Sequence, residues 1–190
     1  MPETEVVIRH TTASAVVLDG NGQVLLIQHR KSGLWLYPGG HVDANEDPAS
    51  AAIRETREET GLAVTIITGP LFVHPAVRSH PVPFAIIEAP VKDDTTGPHH
   101  HIDMVYVCRP ATAGKPLTAQ LAEVDAVRWV PVTDVARLHT PTELPNLITA
   151  AAPGPKTTGR PPINIDECTR RRPAGVLAEH RRCPTRSDYS

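Results

Sequence analysis

Glu55, Glu58 and Glu59 fall within five residues of one another in the run GGHVDANEDPASAAIRETREETGL, Gly39 to Leu62. Spacings of three and four residues bring side chains to one face of an α-helix. Like charges so placed cost about 0.2–0.5 kcal/mol per pair in an isolated helix. Hard divalent cations such as Mg2+ take carboxylate, carbonyl and water oxygens as ligands. An ion among these glutamates would turn their repulsion into attraction. Gly39-Gly40, just ahead, lets the backbone approach a ligand closely and offers a bare carbonyl. Arg54 stands four residues before Glu58, the spacing of a helical ion pair. A solvated acidic face needs no ion at all, so the three glutamates by themselves leave both readings open.

The elements that must position these residues can be read from pattern. Pro48 to Thr60 reads as a helix, with Asp47 as N-cap, Pro48 in the first helical position and Gly61 as C-terminal cap. Ala49, Ile53, Thr56 and Thr60 gather on the side opposite the glutamates, ready to pack on a sheet. Ala13–Leu18 and Val24–Gln28 are short apolar runs rich in β-branched residues, and Asp19-Gly20-Asn21-Gly22 between them predicts a hairpin. Further strands are expected at Ala63–Ile67, Phe84–Glu88, Ile102–Cys108 and Ala126–Val130. Lys31–Tyr37 reads as a loop, and Thr133–Leu138 and Thr142–Ala151 as closing helical segments. The sum is an α/β chain with a mixed sheet between helical layers.

With these residues in place, the sequence resembles the Nudix hydrolase family. Gly40, Glu46, Arg54-Glu55, Arg57, Glu58-Glu59 and Gly61-Leu62 fall at the spacing of the Nudix box, with Thr56 where that pattern usually has an aliphatic residue. Softer similarity runs over about residues 10–150, through HRKSGLWLYPGG and EVDAVRWVPVTDV. The resemblance implies an α/β/α sandwich with a mixed β-sheet. It implies hydrolysis of a diphosphate linked to another moiety, such as a nucleoside diphosphate in a nucleotide, nucleotide sugar or nucleoside triphosphate. Glu55, Glu58, Glu59 and the Gly39 carbonyl would bind Mg2+ or Mn2+, Glu55 being also a candidate base for the attacking water. Arg54 would orient the glutamates and Glu46 would hold the loop against the helix. Bottom-up chemistry agrees, since cleaving a phosphoanhydride needs charge neutralisation, an activated water and alignment. Two rivals stay open: a Nudix-like module that binds a nucleotide without turnover, and an isoprenoid diphosphate isomerase. The first is free to lose a carboxylate; the second wants a reactive cysteine, for which Cys108 is the only candidate before residue 152.

Substrate contacts are expected from Arg30 and Lys31, beside the Gly-Gly turn, and from Trp35, a base-stacking candidate where aromatic residues make up 4% of the chain. His99, His101 and Asp103 would share one face if the strand near them starts early. His101 and Asp103 are read as substrate contacts, with a plain surface cluster or a further metal site as the alternatives, and His74 and His80 lie in a loop that could reach the same side. The resemblance also implies a role for Glu123, because in that family an acid in this late region often adds a metal ligand or base; a solvated loop acid is the alternative. Hydrophobic content of 40%, charged content of 21% and net charge −2 describe an ordinary globular chain without a basic field for nucleic acid. No apolar run approaches a membrane span, and the acidic start Met1-Pro2-Glu3-Thr4-Glu5 is unlike a signal peptide, so a cytoplasmic protein is expected. The expected partner is a small nucleotide-type diphosphate, and a homodimer is compatible with the sequence.

Composition divides the chain into a Nudix-type domain, 1–152, and a tail, 153–190. The tail carries Lys156, Arg160, Arg170, Arg171, Arg172, Arg181, Arg182 and Arg186 against Asp166, Glu167, Glu179 and Asp188, interspersed with prolines. Such a composition favours an unpacked extension. Truncation after Ala152 is expected to leave the rate constant unchanged and to shift substrate affinity slightly, because salt at ~0.15 M screens exposed charges beyond about 8 Å. Steady-state kinetics of the full and truncated chains would reveal a docked tail as a tenfold loss at saturating substrate.

Overall fold

The computed structural model describes residues 7–152, apart from 94, 95, 113 and 121; the tail expectation lies outside these residues. Strands β1 (Arg9–Val17), β2 (Gln23–His29), β3 (Trp35–Leu36) and β4 (Gly39–His41) precede helix α1 (Pro48–Thr60). Strands β5 (Val64–Ile66), β6 (Ala85–Asp93), β7 (Gly97–Pro110) and β8 (Val124–Pro131) follow, then a 3-10 turn at Val132–Arg137 and helix α2 (Leu144–Ala151). Every strand and helix expected from pattern is present, and two short strands were missed: β3 lies inside the expected loop, and β4 at the Gly39-Gly40 turn that follows it.

The strands form two sheets. The larger runs β4-β1-β7-β5, with β6 also paired to β7; the smaller runs β3-β2-β8. Within the larger sheet β1 and β7 are parallel, and the other pairs are antiparallel. The expected hairpin is therefore not a hairpin ladder. The turn does form, with Asp19 Oδ1 accepting from the N–H groups of Asn21 and Gln23 at 2.7 and 2.9 Å. Only the single bridge Leu18–Val24 follows it. The edges of β1 are taken by β7 and β4, so β2 turns away and pairs with β3 and β8.

Alternation along β1 sorts the core into two layers. Ala13, Ala15 and Val17 join Tyr106, Cys108 and the alanines 49, 51 and 52 of α1. Val16 joins Val105, Val107, Val130, Leu144, Ile148 and Ala151 on the other face, under α2. Helices thus cover both faces of a mixed sheet, the α/β sandwich expected. Cys108 is 1% exposed, and burial pushes its thiol up to about 12; it packs in the core against α1.

The termini of α1 follow local chemistry. Asp47 accepts from Ser50 N at 3.1 Å, and Gly61, at φ 70°, donates its N–H to Arg57 O. Thr56 is buried and donates its hydroxyl to Ala52 O, so the Nudix-box departure rests in the packed face. Asp47→Ala is expected to lose about 0.5–2 kcal/mol of stability through the missing cap; denaturant midpoints at unchanged m-value would measure it.

Candidate active site

Arg54 is the centre of the acidic helix. Its Nη1 donates to Glu55 Oε1 at 2.8 Å and to Glu58 Oε2 at 3.0 Å. Its Nε and Nη2 reach both oxygens of Glu46, the shortest contact being 2.9 Å, and Nη2 also donates to the His41 carbonyl at 3.1 Å. One planar guanidinium with five donors thus ties α1 to the preceding loop and to the end of β4. These bonds, that to Glu46 first, raise the Arg54 pKa well above its ordinary value, and the same contact holds Glu46 below its own.

The three glutamates differ in setting, although the sequence placed them together on the face opposite the packed side. Glu58 is half exposed, its side chain at 54%. Glu55 is mostly covered, and burial raises its pKa against the opposing pull of Arg54. Glu59 is buried and accepts from Gly39 N–H at 3.0 Å. Burial, reinforced by the charges of Glu55, Glu123 and Glu58, pushes its carboxyl up to about 8. Carboxylates arranged to oppose one another's ionisation form an oxygen donor set suited to a hard cation.

Gly39 and Gly40 let β4 pair with β1 while lying close under this helix. A Cβ on Gly40 would stand 2.6 Å from the Glu55 carboxyl carbon, and one on Gly39 would stand 2.7 Å from Ser14 Cα and against its Oγ. The Gly40 clash meets a side chain, the Gly39 clash a backbone.

The other expected residues divide. Glu123 is exposed, and its charge opposes the ionisation of both Glu55 and Glu59. Arg30 pairs with Asp125 at 2.7 Å, and Lys31 sits exposed in the turn after β2. Trp35 lies in β3 with the Arg128 guanidinium 4.0 Å over its ring, so one stacking face is already covered. His80 lies 3.3 Å from Asp47 at the start of α1, not beside His99 and His101.

His101 and Asp103 belong to the face of the larger sheet opposite α1, and β7 does start early enough for them to share it. Asp103 is buried and accepts from Thr12, Ser14 and Tyr37 hydroxyls at 3.1, 2.9 and 3.2 Å. Burial raises its pKa against those bonds. Thr12, Ser14, His10 and His41 were missed. The signal was the alternation of His10, Thr12 and Ser14 with smaller or apolar residues along β1.

A family model described as NUDIX domain matches residues 8–150. The chain is 30% identical over 137 residues to a CMP-5'-(N-acetyl-N-hydroxy-3-aminopropyl)phosphonate hydrolase of Streptomyces rubellomurinus, covering 69% of this chain and 56% of that protein. It is 45% identical over 49 residues to a putative 8-oxo-dGTP diphosphatase of Bacillus subtilis, covering 26% of this chain and 33% of that protein. The matches therefore span from a third to just over half of those relatives' own length. Among solved structures, a hydrolase of the NUDIX family from Clostridium perfringens superposes with a TM-score of 0.64 at 25% identity, covering 77% of this chain and 98% of that one.

Gly40→Ala is expected to push Glu55 aside while the sheet survives, whereas Gly39→Ala is expected to lower the melting temperature. Thermal melts of the two variants beside wild type would separate a displaced carboxylate from a displaced strand.

Proposed function

Because the chain belongs to the Nudix family, we propose that it is a divalent-metal-dependent hydrolase of a diphosphate linkage, acting on a nucleoside diphosphate joined to another moiety. The observation that carries this reading is the group formed by Glu55, Glu58, Glu59 and Arg54 on α1, packed against Gly39-Gly40. All three carboxylates are kept, which a module that only binds a nucleotide would not need.

The residues fit a hard divalent ion, Mg2+ or Mn2+. Glu59 is buried with a single backbone donor, Gly39 N–H, and three carboxylates act against its ionisation; a cation there would let the group be anionic together. Glu55, Glu58 and Glu59 would hold the ion, with the Gly39 carbonyl and Glu123 as further oxygens. Bound there, it would neutralise charge on the non-bridging phosphate oxygens and acidify a water.

Hydrolysis joins the water oxygen to one phosphorus, breaks that phosphorus's bond to the bridging oxygen, and releases a proton. Glu55 is the group we assign to take that proton. It is mostly covered from solvent, its pKa is raised, and Arg54 fixes one of its oxygens at 2.8 Å. Arg54 is a positioning residue: its donors set the glutamates against the loop. Bulk substrate contacts are assigned to Lys31 and to the polar face carrying Asp103 and Tyr37. The CMP-linked phosphonate named for the Streptomyces relative makes cytidine nucleotides a first choice, beside nucleoside triphosphates and nucleotide sugars.

Glu58→Gln keeps size and removes one charge from the set. It is expected to lower turnover by roughly a hundredfold or more at saturating Mg2+ with an unchanged circular dichroism spectrum. The assay is release of phosphate-bearing products from the nucleotide panel; near wild-type turnover would remove this helix from the metal site.

A further inference from the structure

A second group of possible ligands stands on the sheet face away from α1. His10 of β1, His41 of β4 and His101 of β7 bring one ring nitrogen each to within 4.8 Å of the others. Pairing explains the meeting. His10 lies opposite His101 in the parallel β1–β7 ladder, and His41 lies opposite Thr12, two residues along β1 on the same face. Three adjacent strands each contribute one imidazole, so the group exists only in the folded sheet.

The spacing suits a tetrahedral ion. Two nitrogens about 2.0–2.1 Å from zinc stand about 3.3 Å apart, and His41 Nε2 lies 3.3 Å from His10 Nδ1. His101, incompletely buried, completes the group with a ring nitrogen within 4.8 Å of the other two.

The buried His99 supports it from behind. Its Nδ1 lies 2.9 Å from the Gly97 carbonyl, which can only accept, so this nitrogen carries the proton. In the neutral ring Nε2 then holds a lone pair, and it lies 3.0 Å from His101 Nε2. His99 thereby accepts from His101 and fixes its ring, the outer support that ligating histidines commonly receive. The nearby carboxylate on this face, Asp103, is engaged by Thr12, Ser14 and Tyr37.

An all-imidazole set selects borderline ions such as Zn2+, Co2+, Ni2+ and Cu2+ over Mg2+, which requires oxygen. We propose that His10, His41 and His101 form a zinc-class metal site, separate from the glutamates of α1, that clamps β4, β1 and β7 together. Since β4 also carries Gly39 and Gly40, the clamp would stiffen the strand against which Glu55 and Glu59 pack.

The test is calorimetric titration of the metal-stripped full chain with Zn2+ in excess Mg2+, repeated with Co2+ while recording its visible absorption. The expected result is one equivalent of Zn2+, an intense tetrahedral Co2+ spectrum and a raised melting temperature. His41→Ala and His10→Gln are each expected to weaken zinc at least about tenfold and to abolish the Co2+ spectrum; the exposed His41 gives a variant that folds. Glu58→Gln is expected to keep all three signals, so loss of hydrolysis and loss of this site are read apart. Zinc binding that survives in both histidine variants, that disappears in Glu58→Gln, or that is missing from the wild-type chain would overturn the proposal and leave a stacked histidine cluster.

Discussion

The arrangement depends on one guanidinium. Arg54 is the cation at the centre of Glu46, Glu55 and Glu58, and it also holds the His41 carbonyl. Without it, α1 would present uncompensated carboxylates toward a loop otherwise tied to the helix by the Asp47 cap and the Gly39 N–H on Glu59. A lysine could supply the charge, yet not five donors in a fixed plane aimed at three carboxylates and a carbonyl. The geometry of the acidic face is therefore a property of this side chain as much as of the glutamates.

The second constraint is the closeness of β4. Gly39 and Gly40 let a backbone lie where any Cβ would strike Ser14 or the Glu55 carboxylate. That closeness places the Gly39 N–H on Glu59, a carboxyl otherwise costly to bury. Strand β4 is consequently shared by both faces of the sheet. One side of it meets the glutamates of α1, and the other carries His41 into the imidazole cluster.

Alternation along β1 makes this two-sidedness possible. Ala13, Ala15 and Val17 are small enough to seat α1, while His10, Thr12 and Ser14 face the other way. The same nine residues serve an apolar layer and a polar one, and the polar one is completed by β7 through a parallel pairing. A histidine run that looks isolated in the chain, His99 to His101, thereby gains partners from near the start of it.

The sequence by itself determined whatever depends on neighbours a few residues apart. The caps of α1, the i,i+4 bond of Arg54 to Glu58 and the glycine pair ahead of the helix were all legible, because helical geometry fixes which nearby residues meet. The fixed spacing of the box made the family resemblance legible too. Only the tertiary structure decided the rest. It buried Glu59 while leaving Glu58 half exposed, split β1 and β2 between two sheets, and set Trp35 under Arg128. It joined Thr12 to Asp103 across 91 residues and gathered His10, His41 and His101. Those outcomes follow from strand order and register: alternation can mark a polar face on one strand, but nothing in either segment names its distant partner. Local chemistry chose the elements, and long-range pairing chose which side chains share a face.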